Sequence, residues 1–143
     1  MNAHRRIAAG ALSVLLLVAA SACAGTPGPG EAGYPFNVTG TYSGQFVVEG
    51  QGIGATLTLE TRAGGAIAGQ VRVAEMGINS EVSGTLAGDQ LTLRIPYHNP
   101  GNGCDGVAET TATVTDGGAS FSGALTVTEC GQGMGGSVSF RRS

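Results

Sequence analysis

Tryptophan and lysine are absent from this chain of 143 residues, so all seven of its basic side chains are arginines, set against ten carboxylates. Arg5 and Arg6 belong to a leader segment described below; without it, five arginines face ten acids and the net charge is −5. A body of that sign repels polyanions, which excludes nucleic acid as a partner and attachment to anionic headgroups through a basic patch. No G-x-S-x-G is present, and His98 is the only imidazole after the leader, so a serine hydrolase has no visible elbow or base. No cysteine or histidine pairs at zinc-site spacing; a metal site drawing on His98, Asp105 or Glu129 is the alternative to oxidised thiols. Gly131-Gln132-Gly133-Met134-Gly135-Gly136 matches a dinucleotide loop by letter. It precedes a strand, however, and offers no helix amino terminus to a phosphate. Asn37-Val38-Thr39 is a three-residue glycosylation match of the kind met by chance, and no carboxylate pair has acid–base spacing. No cofactor, metal or catalytic residue is expected, and the chain reads as a non-enzyme.

What the chain does have begins at its amino terminus. His4-Arg5-Arg6 precedes an uncharged apolar run from Ile7 to Ala20, which is the layout of an export signal. The run is short for a spanning helix, which needs about 20 apolar residues. It ends Ala19-Ala20-Ser21-Ala22-Cys23, which resembles the lipobox of bacterial lipoproteins. The resemblance implies cleavage before Cys23, a diacylglycerol thioether on its sulfur and an acylated amino terminus. Ala20-Ser21-Ala22 also fits an ordinary signal-peptidase site, and an uncleaved anchor is a third reading. Cysteine parity favours lipidation: of three cysteines, acylating Cys23 leaves Cys104 and Cys130 to form one disulfide in an oxidising compartment. Arg5-Arg6 also matches part of a twin-arginine signal, although two basic residues are the normal start of any export signal. Each buried methylene adds about 0.8 kcal/mol, and more than one acyl chain is needed for stable attachment, a condition a triacylated Cys23 meets. Ala24, rather than Asp, follows the cysteine. By resemblance this places the protein in the cell envelope, at the outer membrane facing the periplasm if the host is diderm.

Three segments follow: the leader 1–22, the lipidated cysteine with a Gly/Pro-rich tether 23–37, and a domain 38–143. The tether cannot hold a helix and has few side chains to bury, and as a coil it would set the domain roughly 20 Å from the bilayer. In the domain, apolar residues alternate with polar ones and no helical period persists. The alternation predicts strands over 40–49, 55–62, 66–75, 81–87, 90–97, 106–115, 119–128 and 137–142, with a loop over 98–105 and a glycine loop over 131–136. The fold class is all-β, an antiparallel up-and-down meander of about eight strands. Gly44, Gly69, Gly84 and Gly123 fall on the inward face between apolar residues, which suits the corners of a small closed barrel; a two-sheet sandwich is the alternative. In an eight-stranded meander the connections after the fifth and seventh strands emerge at one end. Cys104 and Cys130 occupy those two connections, and closing a loop of about 25 residues contributes about 3 kcal/mol.

Gly40-Thr41-Tyr42, a Gly-x-aromatic strand opening within such a meander, is similar to the avidin and lipocalin groups of barrels. Those families have Trp where this chain has Tyr42, and the tryptophans that line a biotin site are missing, so biotin binding is not implied. The resemblance implies that one barrel end, lined by Tyr42, Phe46 and Tyr97, takes a small apolar ligand. Partners are then the membrane through the lipid and a small ligand or an envelope protein; the competing function is a structural or interaction module with a filled core. Metabolic labelling with a clickable palmitate is expected to mark the parent chain and to leave a Cys23→Ser variant dark; equal labelling rejects Cys23 as the acylated residue.

Overall fold

A computed structural model describes residues 25–143; the leader and Cys23, with everything inferred for them, lie outside the described residues. Eight antiparallel strands follow in order: β1 (Gly40–Val48), β2 (Gln51–Thr61), β3 (Ala66–Val73), β4 (Ile78–Ala87), β5 (Gln90–Asn99), β6 (Cys104–Thr115), β7 (Ser120–Glu129) and β8 (Gln132–Arg142). Each pairs with its neighbour, and β8 pairs with β1 from Tyr42↔Arg142 to Val48↔Gly136, so the sheet closes into a barrel and the sandwich alternative is set aside. Closure leaves no unpaired strand edge. Along β5, Leu91, Leu93 and Ile95 turn inward while Gln90, Thr92 and Arg94 face solvent, so the apolar set is inside and the outside is polar. Among the described residues no helix is long and apolar enough to cross a membrane.

The strands are longer than the sequence reading has them, and the reason is turn chemistry. Glu49 and Gly50 have φ of 48° and 81°, and Cys130 and Gly131 have 50° and 75°, the left-handed pair of a two-residue hairpin turn. With turns this tight, the glycine-rich stretch Gln51–Gly54 pairs with Gln45–Val48 as the start of β2. Gly133–Gly136 likewise pairs with Leu125–Thr128, so the expected glycine loop is half of β8. The loop expected over 98–105 shrinks to 100–103, because His98 pairs with Asp105 and Asn99 with Cys104. Composition marks glycine runs as loops; two flanking strands that need a hydrogen-bonding partner make them strand.

Glycine is required at the inward positions for a geometric reason. A Cβ built on Gly44, Gly69, Gly84, Gly123 or Gly136 would collide with the carbonyl oxygen of Ser139, Thr58, Thr92, Thr111 or Val47 respectively. In each case that carbonyl belongs to the residue preceding the glycine's partner on the adjacent strand. The neighbouring backbone has been pressed into the space a side chain would take, which is how a strongly coiled sheet bends into a small barrel.

The barrel has two unlike ends. One carries the start of β1, the turns 62–65, 88–89 and 116–118 and the end of β8; the other carries the turns 49–50, 74–77, 100–103 and 130–131. The first end is sealed. Val38 is fully buried there, Tyr34 and Phe36 pack on the core, and Pro29 lies against Gly65. Asn37 N–H donates to the Gly117 carbonyl at 3.1 Å and Val38 N–H to Thr61 Oγ1 at 3.2 Å. Arg142 then locks this plug: its guanidinium donates to the Asn37 carbonyl at 2.5 Å and to Tyr42 Oη at 2.9 Å, while Tyr42 donates to the Gly118 carbonyl at 2.5 Å. Most of the glycine- and proline-rich segment therefore lies across the barrel end instead of running free as a coil.

Gly84→Ala and Gly123→Ala are each expected to lower stability by about 1–3 kcal/mol, the cost of overpacking. Gly54→Ala, where nothing lies within 4 Å of the added carbon, should stay within about 0.5 kcal/mol of the parent. Urea denaturation of the three variants checks this, and equal midpoints would deny the close backbone approach.

Candidate functional site

The sealed end is also the solid end. Tyr42, Phe121 and Phe140 form an aromatic layer with centroids 5.2 Å and 5.4 Å apart, and Phe46 meets Phe140 at 5.2 Å from above. Such pairs contribute about 0.5–1.5 kcal/mol each beyond the area they bury. Burial pushes the Tyr42 hydroxyl's pKa up, against the opposing pull of Arg142. Above Phe46 the barrel is hollow. A cavity of about 320 Å³ opens at the far end, and every strand turns at least one side chain to it, among them Phe46, Ile53, Val71, Ile95, Leu125 and Met134. Ala108 on β6 is the small inward residue on its wall. That volume equals about ten water molecules and falls at the small end of ligand pockets.

Almost all the wall is apolar; the polar side chains on it are Glu49, Gln51, Tyr97 and Glu129. Tyr97 lies on the bare backbone of its register partner Gly106, whose missing side chain leaves room for the ring. From there its hydroxyl donates to Glu129 Oε2 at 2.5 Å. Asn99 and Asn102 donate their amides to Glu129 Oε1 at 3.1 Å and 2.5 Å. Both asparagines are fixed in turn, since Asn99 Oδ1 accepts from Gly101 N–H and Asn102 Oδ1 from Cys104 N–H, each at 2.9 Å. The Tyr97 hydrogen bond holds the Glu129 carboxyl below its usual range, with Asn102 and Asn99 adding to that and partial burial opposing it. Tyr97 is displaced the other way: burial first, and then the Glu129 charge, push its pKa well up.

The Cys104–Cys130 disulfide sits beside this cluster, with its Cα atoms 5.4 Å apart. It joins the loop that supplies Asn99 and Asn102 to the residue after Glu129. Of the three residues expected to line a ligand site, Phe46 and Tyr97 are on the cavity wall. Tyr42 is not: it shares a strand face with Phe46, but four residues along a strand are about 13 Å, which places its ring at the sealed end. His98 and Asp105 pair at 2.9 Å on the outer face, both exposed, and take no part in the cavity. Among the described residues no three His, Cys, Asp or Glu side chains gather as a metal site. The sequence reading ends this strand at 128 and misses Glu129 as an inward acid; the signal is that it continues the series Phe121, Gly123, Leu125 and Val127 by one more step of two. Asn99 and Asn102 were not, because their role depends on a short loop bending back over β7.

Set against protein-family models, curated proteins and solved structures, the chain matches none of them.

The lowered pKa of Glu129 sets the sign of its pH dependence. A carboxyl depressed in the folded state stabilises fully above its unfolded value, near 4.5, and that contribution fades as pH falls through the folded value. The stability difference between the parent and Glu129→Gln should therefore be constant near neutrality and shrink below pH 4.5. In a carboxyl-resolved NMR titration, Tyr97→Phe should move the Glu129 midpoint upward by removing its main cause. An unmoved midpoint would show that Tyr97 does not hold it.

Proposed function

We propose that this chain is an exported lipoprotein, anchored through an acylated Cys23, whose β-barrel binds a small apolar ligand without transforming it. The single observation that carries the binding reading is the hollow upper half of the barrel, about 320 Å³ and apolar on nearly all sides. A module working only through its outer surface has no use for unfilled core volume, because each lost packing contact reduces stability. The non-catalytic reading is supported by the cavity's chemistry. Its polar groups are one ionised carboxylate already committed to three donors, a tyrosine whose pKa is raised, and two side chains at the rim. None of these is an activated nucleophile or a base poised near neutral pH.

The fold also orients such a site. The segment from Pro29 to Thr39 crosses the sealed end, so a lipid at Cys23 holds that end toward the bilayer and turns the mouth away from it. Exchange is then with the aqueous side of the envelope or with a partner there. The anionic balance fits attachment by lipid alone.

Native mass spectrometry of the protein released from its own envelope tests the proposal. The parent is expected to carry a retained small molecule that an Ala108→Leu variant, with its cavity partly filled, loses. Identical spectra free of any adduct would favour the structural module.

A further inference from the structure

The cavity wall has a polarity that narrows its ligand. Every polar group that Glu129 and Tyr97 still offer is an acceptor. A carboxylate has about four lone-pair positions, and Glu129 uses three of them, two on Oε1 for Asn99 and Asn102 and one on Oε2 for Tyr97. Tyr97 has given its one proton to Glu129, so its oxygen can only accept. Two strands round the rim, at the β1–β2 turn, Glu49 adds a second carboxylate, which takes Gly135 N–H at 3.1 Å. Among the described lining residues none is basic, and Gln51 at the rim has the one side-chain N–H not committed elsewhere.

No arginine among the described residues faces into this mouth. Arg62, Arg141 and Arg142 belong to the sealed end, Arg94 is paired with Glu109 on the outer face at 2.5 Å, and Arg72 faces outward between inward Val71 and Val73. Glu75 and Asp105 stand in or beside the turns of the open end. The charge on the cavity wall is thus of one sign, Arg72 and His98 at this end both facing outward, and a low-dielectric apolar wall concentrates its field. The depth is apolar: from Glu129 inward, β7 offers Val127 and then Leu125, with Phe46 below.

We infer that the ligand is a cationic amphiphile, a short apolar tail ending in a protonated amine, with the tail on Leu125 and Phe46 and the ammonium at Glu129 and Tyr97. An ammonium supplies three donors and needs none from the site, so it can use the vacant position on Glu129 Oε2 and the Tyr97 oxygen without displacing a bond already made. A carboxylate head would meet two carboxylates, Glu129 and Glu49, with only the rim amide of Gln51 to accept from, and is disfavoured. This assignment rests on the cavity being the binding site proposed above and names its ligand class. The Tyr97 bond that keeps Glu129 below the ordinary carboxyl range also keeps it ionised at neutral pH.

The test uses the full chain in phosphatidylcholine nanodiscs, methyl-labelled at isoleucine, leucine and valine, titrated with octylamine, 1-octanol and octanoate at pH 7. Octylamine is expected to shift the Val71, Ile95 and Leu125 methyls and to bind at least about tenfold more tightly than octanoate, with octanol between them. In Glu129→Gln the amine-to-acid ratio should fall by about tenfold while octanol changes less than about twofold. Octanoate binding as tightly as octylamine in the parent overturns the head-group assignment and leaves the cavity reading standing. No methyl shift with any of the three overturns both. The parent comparison decides the matter even if the variant folds poorly.

Discussion

Closing eight short strands into one ring demands that adjacent backbones approach more closely than two side-chain-bearing residues permit. Five inward glycines meet that demand, each receiving a neighbour's carbonyl where its own Cβ would be. The rest of the architecture follows from this approach. A ring that closes needs no cover for its edges, so the outer face can be threonine, serine and scattered charge. A ring this narrow can be filled by a single layer of side chains at any level. Whether a level is solid or hollow then depends on a handful of inward residues. Tyr42, Phe121 and Phe140 fill one end; at the other, the short Ala108 faces the cavity.

The two ends are held by different means, and the difference suits their roles. At the sealed end Arg142, the last residue of β8, binds the Asn37 carbonyl and stacks 5.4 Å from the Tyr42 ring centroid, tying the segment before β1 and the end of β8 to the core. At the open end no segment among the described residues forms a plug, and the loop after β5 would be expected to fray. There the disulfide ties the start of β6 to the turn after β7, and the two Asn turns leave the loop little freedom. A closure of this span is worth about 3 kcal/mol in the chain-entropy picture. For a domain of modest size that is a large share of a total near 5–15 kcal/mol. The cross-link also sets Asn102 and Asn99 against Glu129, so the bond that stabilises the fold shapes the mouth.

Much of this was legible in the sequence, and the part that was not has a physical reason. Strand number, inward parity, the glycine corners and the meeting of Cys104 with Cys130 all depend on alternation and topology, which a sequence displays directly. Strand ends were misjudged at Gln51–Gly54 and Gln132–Gly136, because glycine's local preference for loops is outweighed by two flanking strands that a single sequence does not place beside it. The site was half visible. Phe46 and Tyr97 share a face and a level; Tyr42 shares the face only, and level along the barrel axis is set by how far each strand is staggered against the next. Thr110 is a further place where pattern and packing part. Its position calls for an apolar side chain, and its hydroxyl is buried without a partner, at a cost of about 1–3 kcal/mol.

The carboxylate at the mouth can be understood from what it would cost alone. An ionised group at the edge of an apolar tube loses hydration, and its pKa would normally rise until it neutralised. Here Tyr97, Asn99 and Asn102 supply three donors in advance, and the carboxyl is displaced downward instead. The network is therefore complete without a ligand, and the proposed ligand would be judged by whether it adds to it or breaks it. A head that donates extends the network. Beyond the rim amide of Gln51, a head that needs a donor must take the Tyr97 hydrogen bond from Glu129, leaving a partly buried charge short of a partner. Leaving such a group unsatisfied costs about 1–3 kcal/mol or more, roughly a factor of 5 to 150 in affinity. Discrimination of that size comes from penalising the wrong head rather than from added contacts to the right one, and it needs no change of shape on binding.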